Sequence, residues 1–240
     1  MKTIILAAGY ATRLYPLTEN FPKPLLEVGG KPILDWLIED LEEVTDEFVV
    51  VTNHKFADRF RCWAQGRPIR VIDDGTASNE TRLGAVRDIE LAVRGLEEDC
   101  VVMAGDNVLT FSLVPFVEFA REKGTSCIMC HEENDLARQQ RTGIITVDEN
   151  QRITSFEEKP AVPKGNLAVP PFYYYTSEDL QRIGEALHSG CGYDAPGSFA
   201  AWLSGITAVH AWLMPGPRYD IGDMASYERV RDSYTGPEKV

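Results

Sequence analysis

The chain lacks any apolar run close to the roughly 18 residues that a membrane-spanning helix needs, so no transmembrane segment is expected. It also lacks the pattern of a secretory leader. Met1-Lys2 runs straight into a strand-like stretch, with no small-residue cleavage site behind a long apolar region, so a cytoplasmic location is expected. Basic residues are scarce: 24 Lys and Arg stand against 37 Asp and Glu, for a formal charge of −13. Non-specific nucleic-acid binding needs a basic face, and that class is set aside. There is no G-x-G-x-x-G and no G-K-[ST] loop, which removes the usual signals of dinucleotide oxidoreduction and P-loop hydrolysis. No repeat or low-complexity tract occurs. The four histidines (His54, His131, His188 and His210) share no motif. The five cysteines are an odd number at irregular spacing, as expected for reduced thiols. Cys127 and Cys130 have C-x-x-C spacing, but they fall in a strand-like segment, where positions three apart face opposite sides. No second pair completes a zinc site.

What remains is ordinary globular composition, 44% hydrophobic and 25% charged, in 240 residues, enough to bury a core without disulfides. Apolar residues at Ile33, Leu34, Leu37, Ile38, Leu41 and Val44 predict a helix over 32–44 with Pro32 in its first turn. Strands are expected at 47–52, 69–73, 99–104 and 125–131, and helices near 55–65, 83–96 and 113–123. This alternation predicts an α/β fold: one Rossmann-like domain with a mostly parallel sheet flanked by helices. After about residue 131 the rhythm changes. A charged loop or short helix (132–141) precedes strands at 143–147 and 152–156, joined by a turn at Asp148-Glu149-Asn150. An aromatic strand (171–176), helices at 177–188 and 197–204, and a strand at 206–213 follow. The segment RYDIGDMASYERV should end a strand and begin a closing helix, with TGPEKV frayed behind it. We therefore expect one domain, 1–240, in which a first half (1–131) carries a smaller substrate-facing lid (132–240).

The stretch from Lys2 to Leu34 is the richest in chemistry. Ile4, Ile5 and Leu6 suit a strand buried on both faces. Gly9 lets the chain turn out of the sheet and lets a ligand come close. A loop leaving the carboxyl end of a parallel strand is where open α/β sheets bind ligands. Arg13 brings a planar fork of donors suited to phosphate, and Lys23 a compact charge whose backbone is restricted by Pro22 and Pro24. Farther on, Asp106 stands where a buried strand ends, in AGDN, and Asp220 stands at a second strand-to-loop junction, YDIGD. Two carboxylates from distant parts of a chain can share one hard cation such as Mg²⁺. On the residues alone Asp220 reads also as a turn residue or a helix cap, with Asp223 the better cap candidate.

The run LAAGYATRLYPLTENFPKPLLEVGGKPIL resembles the signature of the sugar-phosphate nucleotidyltransferases, with L-A-A-G, T-R-L, P-K-P-L and G-K-P in order over about thirty positions. The family often has glycines where this chain has Tyr10 and Ala11. The resemblance implies that Leu6, Ala8, Gly9, Tyr10, Ala11 and Thr12 meet a nucleoside triphosphate. Arg13, Lys23 and Asp106 would be catalytic, and Asp106 and Asp220 would hold Mg²⁺. The loop 73–86, DDGTASNETRLGAV, falls where that family meets the base, which brings in Asn79 and Gly84. Asn79 or Thr81 reads equally as a cap for the next helix. Glu158-Lys159-Pro160 is similar to the family's E-K-P motif, in which glutamate holds sugar hydroxyls and lysine the sugar phosphate. Gly143 and Val169 complete the implied sugar-phosphate set, and Asn166 and Ala168 fall in the same loop. Tyr173 to Tyr175 suit either that pocket or the core.

The function so implied is Mg²⁺-dependent condensation of a nucleoside triphosphate with a sugar 1-phosphate, giving a nucleotide sugar and pyrophosphate. An acceptor phosphate is already anionic, so no general base is required. Two alternatives stand beside it: a cytidylyltransferase for a phosphorylated alcohol such as phosphocholine, and a catalytically silent regulatory homologue. Such silent homologues usually lose Arg13, Lys23 or a metal aspartate, and this chain keeps all four. The short chain argues against an appended acyltransferase or allosteric domain. Neither nucleic acid nor membrane is expected as a partner; the base, the sugar and any homo-oligomer stay open.

Overall fold

The strand Lys2–Leu6 is apolar at its centre, with Ile4 and Ile5 fully buried, and it pairs in parallel with Glu47–Thr52. That strand pairs in parallel with Ile69–Asp73. Helices Ile33–Leu41 and Ala57–Trp63 occupy the crossovers between these strands, as the βαβ pattern requires. The computed structural model describes residues 1–238. It divides into two compact units: the first comprises 1–83, 103–114 and 215 to the last described residue, the second 84–102 and 115–214. The units interleave along the chain, whereas the expected halves divide it once, at 131/132. The strand Ser126–Glu132 crosses that point, and the carboxyl-terminal residues return to the first unit.

In the first unit, Gly29 and Gly30 both have positive φ (61° and 84°), the conformation that closes a two-residue hairpin between Glu27–Val28 and Lys31–Pro32. Pro32 is therefore extended, and the helix begins one residue later than its apolar pattern suggested, at Ile33. A Cβ on Gly29 would lie 2.1 Å from the Tyr234 carbonyl oxygen, so only glycine fits. The short strand Arg218–Asp220 pairs antiparallel with Asn107–Leu109. Asp223 then caps helix Met224–Arg231, accepting from the Ser226 N–H at 2.8 Å, as its position suggested. The tail through residue 238 is docked where fraying was expected. Tyr234 packs edge-on against Trp36 at 5.0 Å, and the Glu238 N–H donates to the Thr110 carbonyl at 2.9 Å. Residues 239–240 of that expectation lie outside the described residues.

In the second unit the strands run in the order Ile153–Glu158, Gly143–Val147, Leu167–Val169, Ser126–Glu132, Phe172–Tyr175, each antiparallel to its neighbour. Val209–Leu213 adds to Ser126–Glu132 in parallel. The helix expected over 83–96 is Ala85–Ala92, opened by Gly84 at φ 92°. The helix expected over 177–188 is two pieces, Ser177–Leu180 and Ile183–His188. Cys127 and Cys130 are buried in their strand, and burial pushes both thiols up to about 12, far from the thiolate that binds metal. Among the described residues no helix is long and apolar enough to cross a membrane. The fold is α/β with a mixed sheet: parallel pairing defines the first unit, antiparallel pairing most of the second.

Candidate active site

The first unit carries a cleft of about 280 Å³ at the carboxyl end of Lys2–Leu6. Of the residues expected to meet nucleotide, Leu6, Gly9, Tyr10, Ala11, Thr12 and Asn79 line it, and so do Arg13, Lys23 and Asp106. Arg82, beside Asn79 in the sequence, also lines it and donates to the Asn79 side-chain oxygen at 3.2 Å. Ala8 instead turns its carbonyl to the Asn53 side-chain amide at 3.0 Å. Gly84 belongs to the second unit, where a Cβ would meet the Tyr193 carbonyl at 2.6 Å; its role there is packing and helix entry. Neither Asn79 nor Thr81 caps that helix: both lie in a short turn, Asn79–Thr81, capped by Ser78.

The loop is shaped by Ala11, one of the two positions where the resembling family often has glycine. Ala11 adopts the left-handed region (φ 48°), a sparsely populated conformation for a residue with a Cβ. The Thr18 hydroxyl holds it by donating to its carbonyl at 2.8 Å. The next turn, Thr12–Leu14, buries Leu14 completely and leaves Arg13 exposed. Tyr10 is buried and donates its hydroxyl to the Thr76 carbonyl at 3.1 Å, tying the loop after Lys2–Leu6 to the loop after Ile69–Asp73.

Lys23 and Asp106 meet directly. The ammonium donates to Asp106 Oδ2 at 2.7 Å, with the lysine side chain only 10% exposed and the aspartate 35%. Gly105 permits this placement, because a Cβ there would stand 2.9 Å from Leu34 and 3.0 Å from Ile5. Asp220 is brought alongside by the Arg218–Asp220 pairing: it lies opposite Asn107, and the Ile221 N–H donates to the Asp106 carbonyl at 3.1 Å. Crowding by protein atoms, and after it the Asp106 carboxylate, raise the Asp220 carboxyl above its ordinary range; Lys23, Arg218 and Arg13 pull it back. Arg13 reaches the same place: its guanidinium and Asp220 Oδ1 both lie within 4 Å of where a Gly222 side chain would start.

Among the described residues no group of three or more His, Cys, Asp or Glu gathers to hold a metal. The pair of Asp106 and Asp220 offers hard oxygen ligands at a point of mutual repulsion. That suits Mg²⁺, which is usually held by one or two carboxylates and takes its other ligands from water and phosphate.

The second unit has its own pocket, of about 320 Å³, and all four residues expected to hold the sugar phosphate line it: Gly143, Glu158, Lys159 and Val169. Lys159 has positive φ (49°), and its N–H donates to the Thr142 carbonyl at 3.1 Å. Burial raises the Glu158 carboxyl, which Lys159 partly offsets. Two glycines make room for that carboxylate. A Cβ on Gly143 would stand 3.2 Å from Glu158 Oε2 and 2.8 Å from Phe156; one on Gly197 would stand 2.9 Å from Oε2 and 3.4 Å from the Tyr173 hydroxyl. Tyr173 thus lines the pocket, while Tyr174 donates to Asp99 at 2.7 Å and Tyr175 is core.

Sequence reasoning missed three parts of these sites. Arg141 and the run from Asp194 to Gly197 line the second pocket. Arg218 stands two residues before Asp220, and strand alternation carries a signal there, since positions i and i+2 share a face.

The nucleotidyl transferase family profile matches residues 2–235. A UTP–glucose-1-phosphate uridylyltransferase of Haloferax volcanii is 32% identical over 231 residues, covering 92% of this chain and 91% of that one. A UTP–glucose-1-phosphate uridylyltransferase of a Synechocystis strain is 28% identical over 240 residues; there the match covers 95% of this chain but 61% of the relative. Among solved structures, a Bacillus anthracis protein assigned as a glucose-1-phosphate thymidylyltransferase, crystallised with sucrose, superposes with a TM-score of 0.84 at 25% identity, over 100% of this chain and 98% of that one.

Proposed function

The chain belongs to the nucleotidyl transferase family, and from that premise we propose that it condenses a nucleoside triphosphate with a sugar 1-phosphate, giving a nucleotide sugar and pyrophosphate. The observation that carries the reading is the meeting of Lys23, Asp106, Asp220 and Arg13 at the phosphate loop of the first unit. The triphosphate occupies the cleft after Lys2–Leu6, where the loop N–H groups and Arg13 offer donors to its phosphates. The sugar phosphate takes the pocket of Glu158 and Lys159, with the carboxylate accepting from hydroxyls and the ammonium facing the phosphate.

Chemically, an oxygen of the sugar phosphate attacks the α-phosphorus in line, a new P–O bond forms, and the bond to the β-phosphate oxygen breaks. The attacking group is already an anion, so the protein's part is alignment and charge neutralisation. Lys23 serves the α-phosphate, Arg13 the departing pyrophosphate, and Lys159 the incoming phosphate. Asp106 and Asp220 would hold Mg²⁺, which when bound neutralises phosphate charge.

The relatives named for glucose 1-phosphate and for UTP or thymidylyl transfer make uridine and thymidine triphosphates with glucose 1-phosphate the first substrates to test. A matrix of triphosphates against sugar 1-phosphates and phosphocholine, scored by pyrophosphate, tests the reading. It expects a signal only with a sugar 1-phosphate present. Turnover with phosphocholine alone would overturn the choice of acceptor.

A further inference from the structure

Arg218 lies in the strand Arg218–Asp220, paired antiparallel with Asn107–Leu109 so that Asp220 stands opposite Asn107 and Arg218 opposite Leu109. Arg218 and Asp220 project from the same face, two positions apart, and Asn107, directly across from Asp220, shares that face. Arg218 is therefore the diagonal neighbour of Asn107, and its Nη1 donates to Asn107 Oδ1 at 2.5 Å. Asn107 is almost wholly buried, 1% exposed, and its Nδ2 donates to Asp106 Oδ1 at 2.7 Å. The other oxygen of Asp106, Oδ2, accepts from Lys23.

The orientation of the Asn107 amide is decided by chemistry. A guanidinium has only donors, so the amide atom that faces it must be the oxygen. The nitrogen is then turned toward Asp106, where a carboxylate has only acceptors. Flipped, the amide would set its oxygen against the Asp106 carboxylate and its N–H₂ against a cation, two unfavourable contacts at a buried position.

We infer that Arg218 is a positioning residue, which through the Asn107 amide fixes the rotamer of the Asp106 carboxylate for metal and substrate phosphate. The inference rests on the role of Asp106 in the proposed reaction. It gives Arg218, the residue just before the YDIGD junction, a task distinct from that of Asp220. The carboxylate of Asp106 is then clamped on both oxygens, by a neutral amide on one side and an ammonium on the other, and keeps its remaining lone pairs for ligands.

Charge and positioning make opposite predictions for Arg218→Met. Removing a cation beside two carboxylates should, by charge alone, tighten divalent metal binding. Losing the clamp should weaken it, on the order of 10- to 100-fold, the usual cost of removing a group that orients a metal ligand. The experiment titrates Mn²⁺ alone against the full-length protein, following the water-proton relaxation of the ion, and measures kcat and KM in parallel. Expected for R218M are a Mn²⁺ midpoint about tenfold weaker and a kcat about tenfold lower, with the triphosphate KM moving less. R218K, which keeps a donor and the charge, should recover most of both. In an Asn107→Ala background R218M should cost nothing further, because the two residues act as a unit. Should R218M fail to melt cooperatively, R218Q takes its place, its amide being too short to reach Asn107 Oδ1. Tighter Mn²⁺ binding by R218M, or additive losses in the double variant, overturns the inference. A wild-type protein that releases no pyrophosphate refutes the proposed function instead, and the Mn²⁺ titration still decides the role of Arg218.

Discussion

Lys23 Nζ donates to Asp106 Oδ2 at 2.7 Å, so the cation that would serve a phosphate is joined to the carboxylate that would serve a metal. The pair neutralises itself in a largely buried setting, and removing one member leaves the other uncompensated. Breaking a buried pair is costly for this reason, even where the intact pair contributes little. Lys23→Met should therefore lower the melting temperature of the metal-free protein as well as turnover. Mg²⁺ should raise the melting temperature of K23M more than that of the wild type, since a divalent ion can supply the charge that the ammonium gave. An equal Mg²⁺ effect on both proteins would mean that Lys23 and the metal do not share Asp106.

Arg13 and Leu14 are adjacent and have separable tasks. Leu14 is fully buried and Arg13 exposed in the same short turn. Arg13→Ala should cost on the order of 10²–10³ in turnover, the usual loss for one charge-stabilising donor, with little change in melting temperature. Leu14→Ala should lose about 2–5 kcal/mol of stability by opening a cavity. Thermal melts and pyrophosphate release on the two variants separate the effects, and near-normal turnover by R13A would reject its assignment.

Glu158 supplies a pH test. Burial raises its carboxyl above the ordinary value of 4.5, so the folded protein holds that proton more tightly than the unfolded chain. The stability it contributes is fully present below that ordinary value and is lost as pH rises through the raised folded value. Glu158→Gln should thus melt higher than the wild type at neutral pH and lose that advantage in acid. Its KM for sugar phosphate should rise while its KM for triphosphate holds. Wild-type KM for sugar phosphate should likewise climb as pH falls and the carboxylate is protonated. A flat KM across that acid range, or a lower melting temperature for E158Q at neutral pH, would contradict this role.

The lining of the first unit's cleft was legible because it is written in nearly consecutive residues: a strand, a glycine, an arginine in a short turn and a lysine between prolines. Glu158 and Lys159 stand together in E-K-P for the same reason, and Gly143 and Val169 line the same pocket of the second unit. Gly84 opens a helix against Tyr193, a use that leaves the same mark in sequence as ligand approach. Pro32 misled because a two-glycine turn ahead of it takes it into a hairpin before the helix begins. The docked tail was missed because TGPEKV has a loop's composition, and what holds it is a buried aromatic just upstream and one backbone hydrogen bond. Arg218 and Asn107 are 111 positions apart, and only strand pairing joins them.

Tyr234 tests that reading of the tail. It packs on Trp36, and its hydroxyl donates to the Leu109 carbonyl at 2.5 Å. Tyr234→Phe should cost about 1–3 kcal/mol by leaving a buried carbonyl unpaired, and Tyr234→Ala about 3–5 kcal/mol. Chemical denaturation of the two variants measures both, and a Y234A protein as stable as the wild type would show that the tail is not part of the core.

The most direct measurement follows the α-phosphorus. Uridine or thymidine triphosphate labelled there is incubated with glucose 1-phosphate and Mg²⁺, and the products are separated. The account predicts label in a nucleotide sugar, with unlabelled pyrophosphate released in equal amount, only when metal and sugar phosphate are both present, and a loss on the order of 10²-fold or more in Asp106→Asn. Label in free nucleoside monophosphate without dependence on any sugar phosphate, or undiminished transfer by D106N, would contradict it.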